Sequence, residues 1–184
     1  MKNVLDIKTR QEFRDWLEQH HKKEKDCFVK VARVKPQEGL FTYIDAVEEA
    51  LCFGWIDSVV NVIDDQTYQR FSPRTKRSPW TELNKERARR LIKLGLMTKD
   101  GKKVLPPLGP RSFKIDKDVE QALKKARVYK KFKSFPDLYQ RVRVYNVAFY
   151  KTIDKASYES ALKHLIDETK NGRMYGNWND YGRL

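Results

Sequence analysis

The chain carries 39 Lys and Arg against 25 Asp and Glu over 184 residues, a formal net charge of +14. A chain of this size buries about two-thirds of its unfolded surface as one compact domain, or as one domain with a helical extension, and needs no disulfide or metal to fold. No apolar run approaches the roughly 18 residues of a membrane span, the first residues hold no apolar signal core, and Cys27 and Cys52 sit in apolar segments without CxxC spacing, so a cytoplasmic protein with reduced, buried thiols is expected.

Thr9-Arg10-Gln11-Glu12 has the form of a capping box, and Phe13, Trp16 and Leu17 follow at helical spacing, which predicts a helix from about Thr9 to His21. The β-branched run 27–34 predicts a strand stopped by Pro36. Thr42 can cap a second helix with Ile44, Val47, Ala50 and Leu51 on its apolar face, ended by Gly54 as a left-handed C′ residue. Residues 55–63 and 67–71 are strand formers flanking Asp64-Asp65-Gln66, a hairpin pattern. Ser78-Pro79 reads as an N-cap with proline at the first helical position, predicting a helix from Pro79 to Leu94. The glycines and prolines of 95–115 mark a linker. Beyond it the apolar spacing predicts four helices, around Val119 and Leu123, Tyr129 to Phe135, Leu138 to Phe149, and Tyr158 to Ile166, the last capped by Ser157. The tail 171–184 has no assignable period. These elements predict an α+β domain over 1–103 and a linker with a C-terminal helical part over 104–184.

Charge is uneven along the chain. Residues 1–66 hold ten cations and thirteen anions, 67–151 hold twenty-four and seven, and 152–184 hold five of each. The middle of the chain therefore carries the whole excess, a field that attracts nucleic acid, anionic lipid or phosphorylated metabolites without choosing among them, and that also serves simply as a solvated surface.

No GxxxxGK[ST], GxSxG, HExxH or GxGxxG occurs, and the three histidines form no metal-ligand spacing, so no catalytic residue, metal or cofactor is assigned. Cys52, beside a glycine turn, invites a nucleophile reading, but Leu51, Phe53 and Trp55 predict an apolar and inert site. Asp57 shares a strand face with Trp55 and Val59, and Arg70 or Arg74 is its expected partner, either as an ion pair fixing the hairpin or as part of a pocket. Arg70 to Ser78 brings four cations and three hydroxyls onto a predicted helix N-terminus, with Trp80 adjacent. That composition points to an anion or phosphate-bearing ligand held by Arg70, Arg74, Lys76, Arg77 and the Ser78 amides, between Trp55 and Trp80. A second zone, 124–135 with Arg141, Arg143 and Tyr145, interleaves cations and aromatics as single-strand grooves do, although Tyr129, Phe132 and Phe135 also have the spacing of a buried stripe.

The run Glu49-Ala50-Leu51-Cys52-Phe53-Gly54-Trp55-Ile56-Asp57, followed by Arg70, Phe71, Pro73, Arg74, Ser78, Trp80 and Asn84, closely resembles the YdeI / OmpD-associated family of small bacterial proteins, also labelled bacteriocin-protection proteins. The resemblance is tight over 43–97 and loose over 116–170. It implies a YjbR/CyaY-like fold, helices on a small antiparallel sheet, adds Asn84 to the candidate ligand-binding residues, and suggests a part in bacterial stress or bacteriocin tolerance. Residues 150–156 depart from the Ala-Lys, Glu-Thr-Arg pattern usual near the end of that family, so a role for that arginine does not carry over. The rival readings are a nucleic-acid-binding regulator using 67–151 and an enzyme centred on Cys52, Asp57 and Arg70.

Overall fold

The computed structural model describes residues 3–184. Among these the backbone forms four strands and eight α-helices, an α+β protein. It divides into two compact units, the first running to Pro79 and resuming over Arg87–Pro106, the second comprising Trp80–Glu86 and Pro107–Leu184.

The first unit holds the sheet. β1 (Val4–Leu5), β2 (Cys27–Val29), β3 (Trp55–Ile63) and β4 (Gln66–Pro73) lie in the order β1-β2-β4-β3. β3 and β2 pair antiparallel with β4, whereas β1 runs parallel to β2, so the sheet is mixed where a wholly antiparallel one was expected. The reason is α1 (Arg10–His20), a crossover that returns the chain in its original direction, which parallel neighbours require. Its capping box forms as the sequence predicts, with the Thr9 side chain accepting from the Glu12 amide and the Glu12 carboxylate accepting from the Thr9 amide.

β2 stops five residues short of the predicted end. After Val29 the chain is drawn towards α2 (Tyr43–Cys52), the Ala32 amide donating to Phe41 O at 3.1 Å and the Tyr43 amide to Ala32 O at 2.9 Å. Thr42 caps α2, and Gly54 at φ +77° ends it. The hairpin turns at Asp64 and Asp65, both at positive φ (46° and 59°), the pair of left-handed residues that a tight two-residue turn needs. A register shift between Asp57 and Val60 turns the outer half of β3 over, leaving Val59, Val60 and Val62 exposed. On the covered face Phe13, Leu17, Leu51, Trp55 and Phe71 are buried, with the Phe13 and Phe71 rings 5.3 Å apart.

α3 (Glu82–Lys93) spans the division between the units, and α4 (Lys99–Lys103) completes the first. The second unit is otherwise α5 (Lys117–Lys125), α6 (Tyr129–Lys133), α7 (Asp137–Phe149) and α8 (Lys155–Lys170). Its core joins Val119, Leu123, Phe132, Tyr139, Val147 and Leu165, and the aperiodic tail packs against it through Tyr175 and Trp178. α8 begins one turn earlier than predicted, because Asp154 accepts from the Ser157 amide at 2.7 Å and caps the helix in place of Ser157.

Candidate functional site

The loop from Arg70 to Ser78 does not form the expected anion nest. Arg70 pairs with Asp26, Nε to Oδ2 at 2.9 Å and Nη2 to Oδ2 at 2.8 Å. Arg74 is buried and serves as a backbone clamp, Nε donating to Trp55 O at 3.3 Å and Nη1 to Pro79 O at 3.0 Å. Burial pulls its pKa down to about 10, with Asp57 opposing. The loop amides are spent within the loop: Thr75 N donates to Ser78 Oγ at 3.0 Å, Arg77 N to Thr75 Oγ1 at 3.3 Å, and Ser78 N to Thr75 O at 3.1 Å. Ser78 is thus a turn residue. The helix starts at Glu82 and is capped by Thr81, whose hydroxyl accepts from the Asn84 amide at 3.0 Å. Lys76 and Arg77 are exposed. Trp55 is a core residue, 1% exposed, its indole N–H donating to His21 O at 3.2 Å. Trp80, half-buried, and Asn84, buried, belong to the second unit.

Asp57 finds a partner that its sequence neighbours did not suggest. Its carboxylate accepts from the Tyr43 hydroxyl at 2.6 Å. Burial first, then the charge and hydrogen bond of Asp57, hold the Tyr43 hydroxyl above its ordinary range, while Arg87 and Arg33 oppose them, so Tyr43 remains a neutral donor. Arg33 lies 4.7 Å from the centroid of the Tyr43 ring and bonds Gln69 Oε1. Gln69 in turn donates to Ser58 O at 3.0 Å, satisfying a carbonyl that the β3 bulge leaves without a strand partner.

Sequence reasoning missed the largest charged constellation of the first unit. Asp45, Glu48 and Glu49 on α2 are all buried. Arg10 reaches Glu48 at 2.8 Å, Glu49 at 2.5 Å and Asp45 at 3.4 Å; Arg14 reaches Glu49 and Arg90 reaches Glu48, both at 2.7 Å. Three guanidinium groups from two helices meet three carboxylates from one, beside a cavity of about 420 Å³. Burial works against the charge on Arg10, yet Glu49 and Glu48 together hold its pKa above the ordinary value.

Next to this network the Cys52 thiol is pushed up to about 12, by burial and then by Glu49, with the hydrogen bond from Arg14 opposing. Cys27 is shifted upward in the same way, chiefly by burial. Both thiols are buried, and burial disfavours the thiolate that a nucleophile needs. Asp57 is bonded to Tyr43 and Arg70 to Asp26, so two of the residues that the rival enzymatic reading grouped with Cys52 are engaged elsewhere. Among the described residues no group of three or more His, Cys, Asp or Glu is placed to hold a metal ion, and no helix is long and apolar enough to cross a membrane.

In the second unit, Lys124, Lys125, Arg127, Lys130, Lys131 and Lys133 are all exposed, and no acid interrupts them. Lys124 alone among them is ion-paired among the described residues, to Glu120 at 2.8 Å. The interleaved aromatics turn inward: Phe132 is fully buried, while Phe135 packs edge-on against Tyr139 at 5.2 Å.

An α+β protein whose α2 carboxylates Asp45, Glu48 and Glu49 are held by arginines of α1 and α3 is the class that these features define. A family model described as a domain of unknown function (DUF8412) matches residues 5–104, the span of α1 to α4 and the sheet, and the chain belongs to that family. No curated protein and no solved structure matches the chain.

Proposed function

We propose that the protein is a binding protein for polyanions, and that the exposed cations of α5, α6 and their connection make the contact. The run from Lys124 to Lys133 carries this reading, since six exposed cations stand together with one carboxylate partner between them. A phosphate backbone releases its counterions to such a surface whatever its sequence. With Phe132 buried and Phe135 packed on Tyr139, base stacking contributes little, which favours non-specific binding over sequence readout. Lys76 and Arg77, exposed in the first unit, belong to the same stretch of excess charge. The resemblance to the YdeI / OmpD-associated family supports a place for this binding in bacterial stress or bacteriocin tolerance. A net charge of +14 argues against direct sequestration of cationic peptides.

Fluorescence anisotropy with a labelled single-stranded oligonucleotide, repeated between about 50 and 200 mM salt, tests it. Neutralising about four phosphates gives a log–log slope near −3, and Lys125→Glu with Lys130→Glu and Lys131→Glu should flatten that slope. Absence of binding at the lowest salt, or a triple variant that binds as the parent does, overturns the proposal.

A further inference from the structure

Arg141 and Arg143 stand two residues apart on α7 and so point to opposite sides of the helix. Arg141 holds Asp137 at 2.7 Å, Glu86 at 2.9 Å and Glu82 at 3.2 Å. Arg143 is 8% exposed, forms no ion pair among the described residues, and its buried Nε has no hydrogen-bond partner. Its guanidinium carbon lies 4.8 Å from the centroid of the Tyr175 ring and 5.8 Å from that of Tyr139. The Tyr175 side chain also hydrogen-bonds it. The tail then passes close by: a Cβ at Gly176 would come within 2.9 Å of Nη1, so only bare backbone fits there. Aromatic rings and a glycine therefore fix the guanidinium on one side without neutralising it.

On the other side Arg143 lines a cavity of about 620 Å³, a size that suits a small ligand. Asn146 and Tyr150, one and two turns further along the chain, form one wall, and Ser157, Ser160 and His164 on one face of α8 form the opposite wall. No lining residue is a carboxylate. The acids on and at the start of the neighbouring helix have partners: Asp154 caps α8 and accepts from the Ser157 hydroxyl at 2.7 Å, Arg173 takes Glu168 in a fork at 2.8 and 2.9 Å, and Glu159 and Asp167 lie 3.7 and 3.8 Å from Lys155 and Lys170. A desolvated guanidinium without a counter-charge is unfavourable unless an anion completes it, and its planar donors match two oxygens of one group.

We propose that this cavity binds a small molecule bearing a carboxylate or phosphate monoester, with Arg143 gripping the oxyanion and Asn146, Ser160 and His164 supplying the remaining polar contacts. The site is distinct from the exposed cations of α5 and α6, and neither proposal depends on the other.

The test follows the Arg143 Nε–H resonance by NMR during titration with phenyl phosphate and, separately, with benzoate, using sodium chloride at matched ionic strength as control. A saturable shift at millimolar concentration with either probe but not with chloride is expected, and the tighter probe identifies the oxyanion. Affinity should fall at least about tenfold in Arg143→Gln and in Ser160→Asp, whose carboxylate would itself complete the guanidinium. Ser160 is exposed, so that variant decides the matter even if Arg143→Gln does not fold. No saturable shift with either probe, an equal response to chloride, or parent-like affinity in Ser160→Asp overturns the assignment.

Discussion

Buried charge is handled in opposite ways around α2 of the first unit and at Arg143 of the second. In the first, Asp45, Glu48 and Glu49 enter an otherwise apolar helix, and each meets a guanidinium from Arg10, Arg14 or Arg90. In the second, Arg143 is also buried and meets aromatic faces and an open cavity in place of a carboxylate. A matched network holds helices in register and offers a ligand nothing it can exchange for. An unmatched cation costs stability and keeps its charge for something from outside. The contrast assigns the first constellation to architecture and the second to binding.

The largest effect expected on this view is at Glu48, fully buried and bound by both Arg10 and Arg90. Glu48→Ala should destabilise by about 3 kcal/mol in chemical denaturation, because two guanidinium groups lose their shared partner at a buried position. A cost below about 1 kcal/mol would place the network with ordinary surface pairs and dissolve the contrast.

That network was invisible in the sequence for a physical reason. Local periodicity on α2 marks Val47, Ala50 and Leu51 as the core face and leaves Glu48 and Glu49 to solvent, whereas in the fold that side is covered by arginines some forty residues away in either direction. Signals closed within one turn were legible: the Thr9 capping box, the Thr42 cap, Gly54 as a helix stop, and the Asp64-Asp65 hairpin. Signals that recur every three residues were ambiguous. Ser78 and Ser157 read as the caps in sequence, whereas in the fold Thr81, three residues later, and Asp154, three residues earlier, cap α3 and α8. The Ser78 hydroxyl, expected to open an anion nest, instead closes a turn. Arg143 was noticed only as one cation in a basic run. Its isolation depends on the aperiodic tail folding back through Tyr175 and Gly176.

A middle-sized effect concerns groups that the first unit keeps uncharged. Cys52 ionises near the ordinary thiol value of 9.0 when unfolded and at about 12 when folded, so above pH 9 the unfolded chain releases a proton that the native state retains. Stability is therefore whole below pH 9 and lost as pH rises from there towards 12, by at most about 1.4 kcal/mol per pH unit for each such thiol. Cys27, shifted in the same direction, adds to the slope. Thermal midpoints measured from pH 7 to 10.5 in parent and Cys52→Ala protein should converge towards the alkaline end. Rapid labelling of native Cys52 by a thiol reagent at pH 7 would show instead that the thiol is reachable and ionised, and that this part of the first unit is not sealed.

The smallest effect should come from the second unit's buried charge. Replacing Arg143 by Met keeps the length and apolar bulk of the side chain while removing a cation that no carboxylate balances. The substitution loses the aromatic contacts with Tyr175 and Tyr139, worth about 0.5 to 2 kcal/mol, and gains back the desolvation that an uncompensated charge pays on burial. These terms have opposite sign, so unliganded Arg143→Met should fall within about 1 kcal/mol of the parent, far from the loss expected of Glu48→Ala, although both residues are buried and charged. Denaturant curves of the two variants side by side, in buffer without phosphate or carboxylate, make the comparison. If Arg143→Met costs as much as Glu48→Ala, the guanidinium is holding the tail and α7 together as a structural post, and its cavity loses the energetic argument for a ligand.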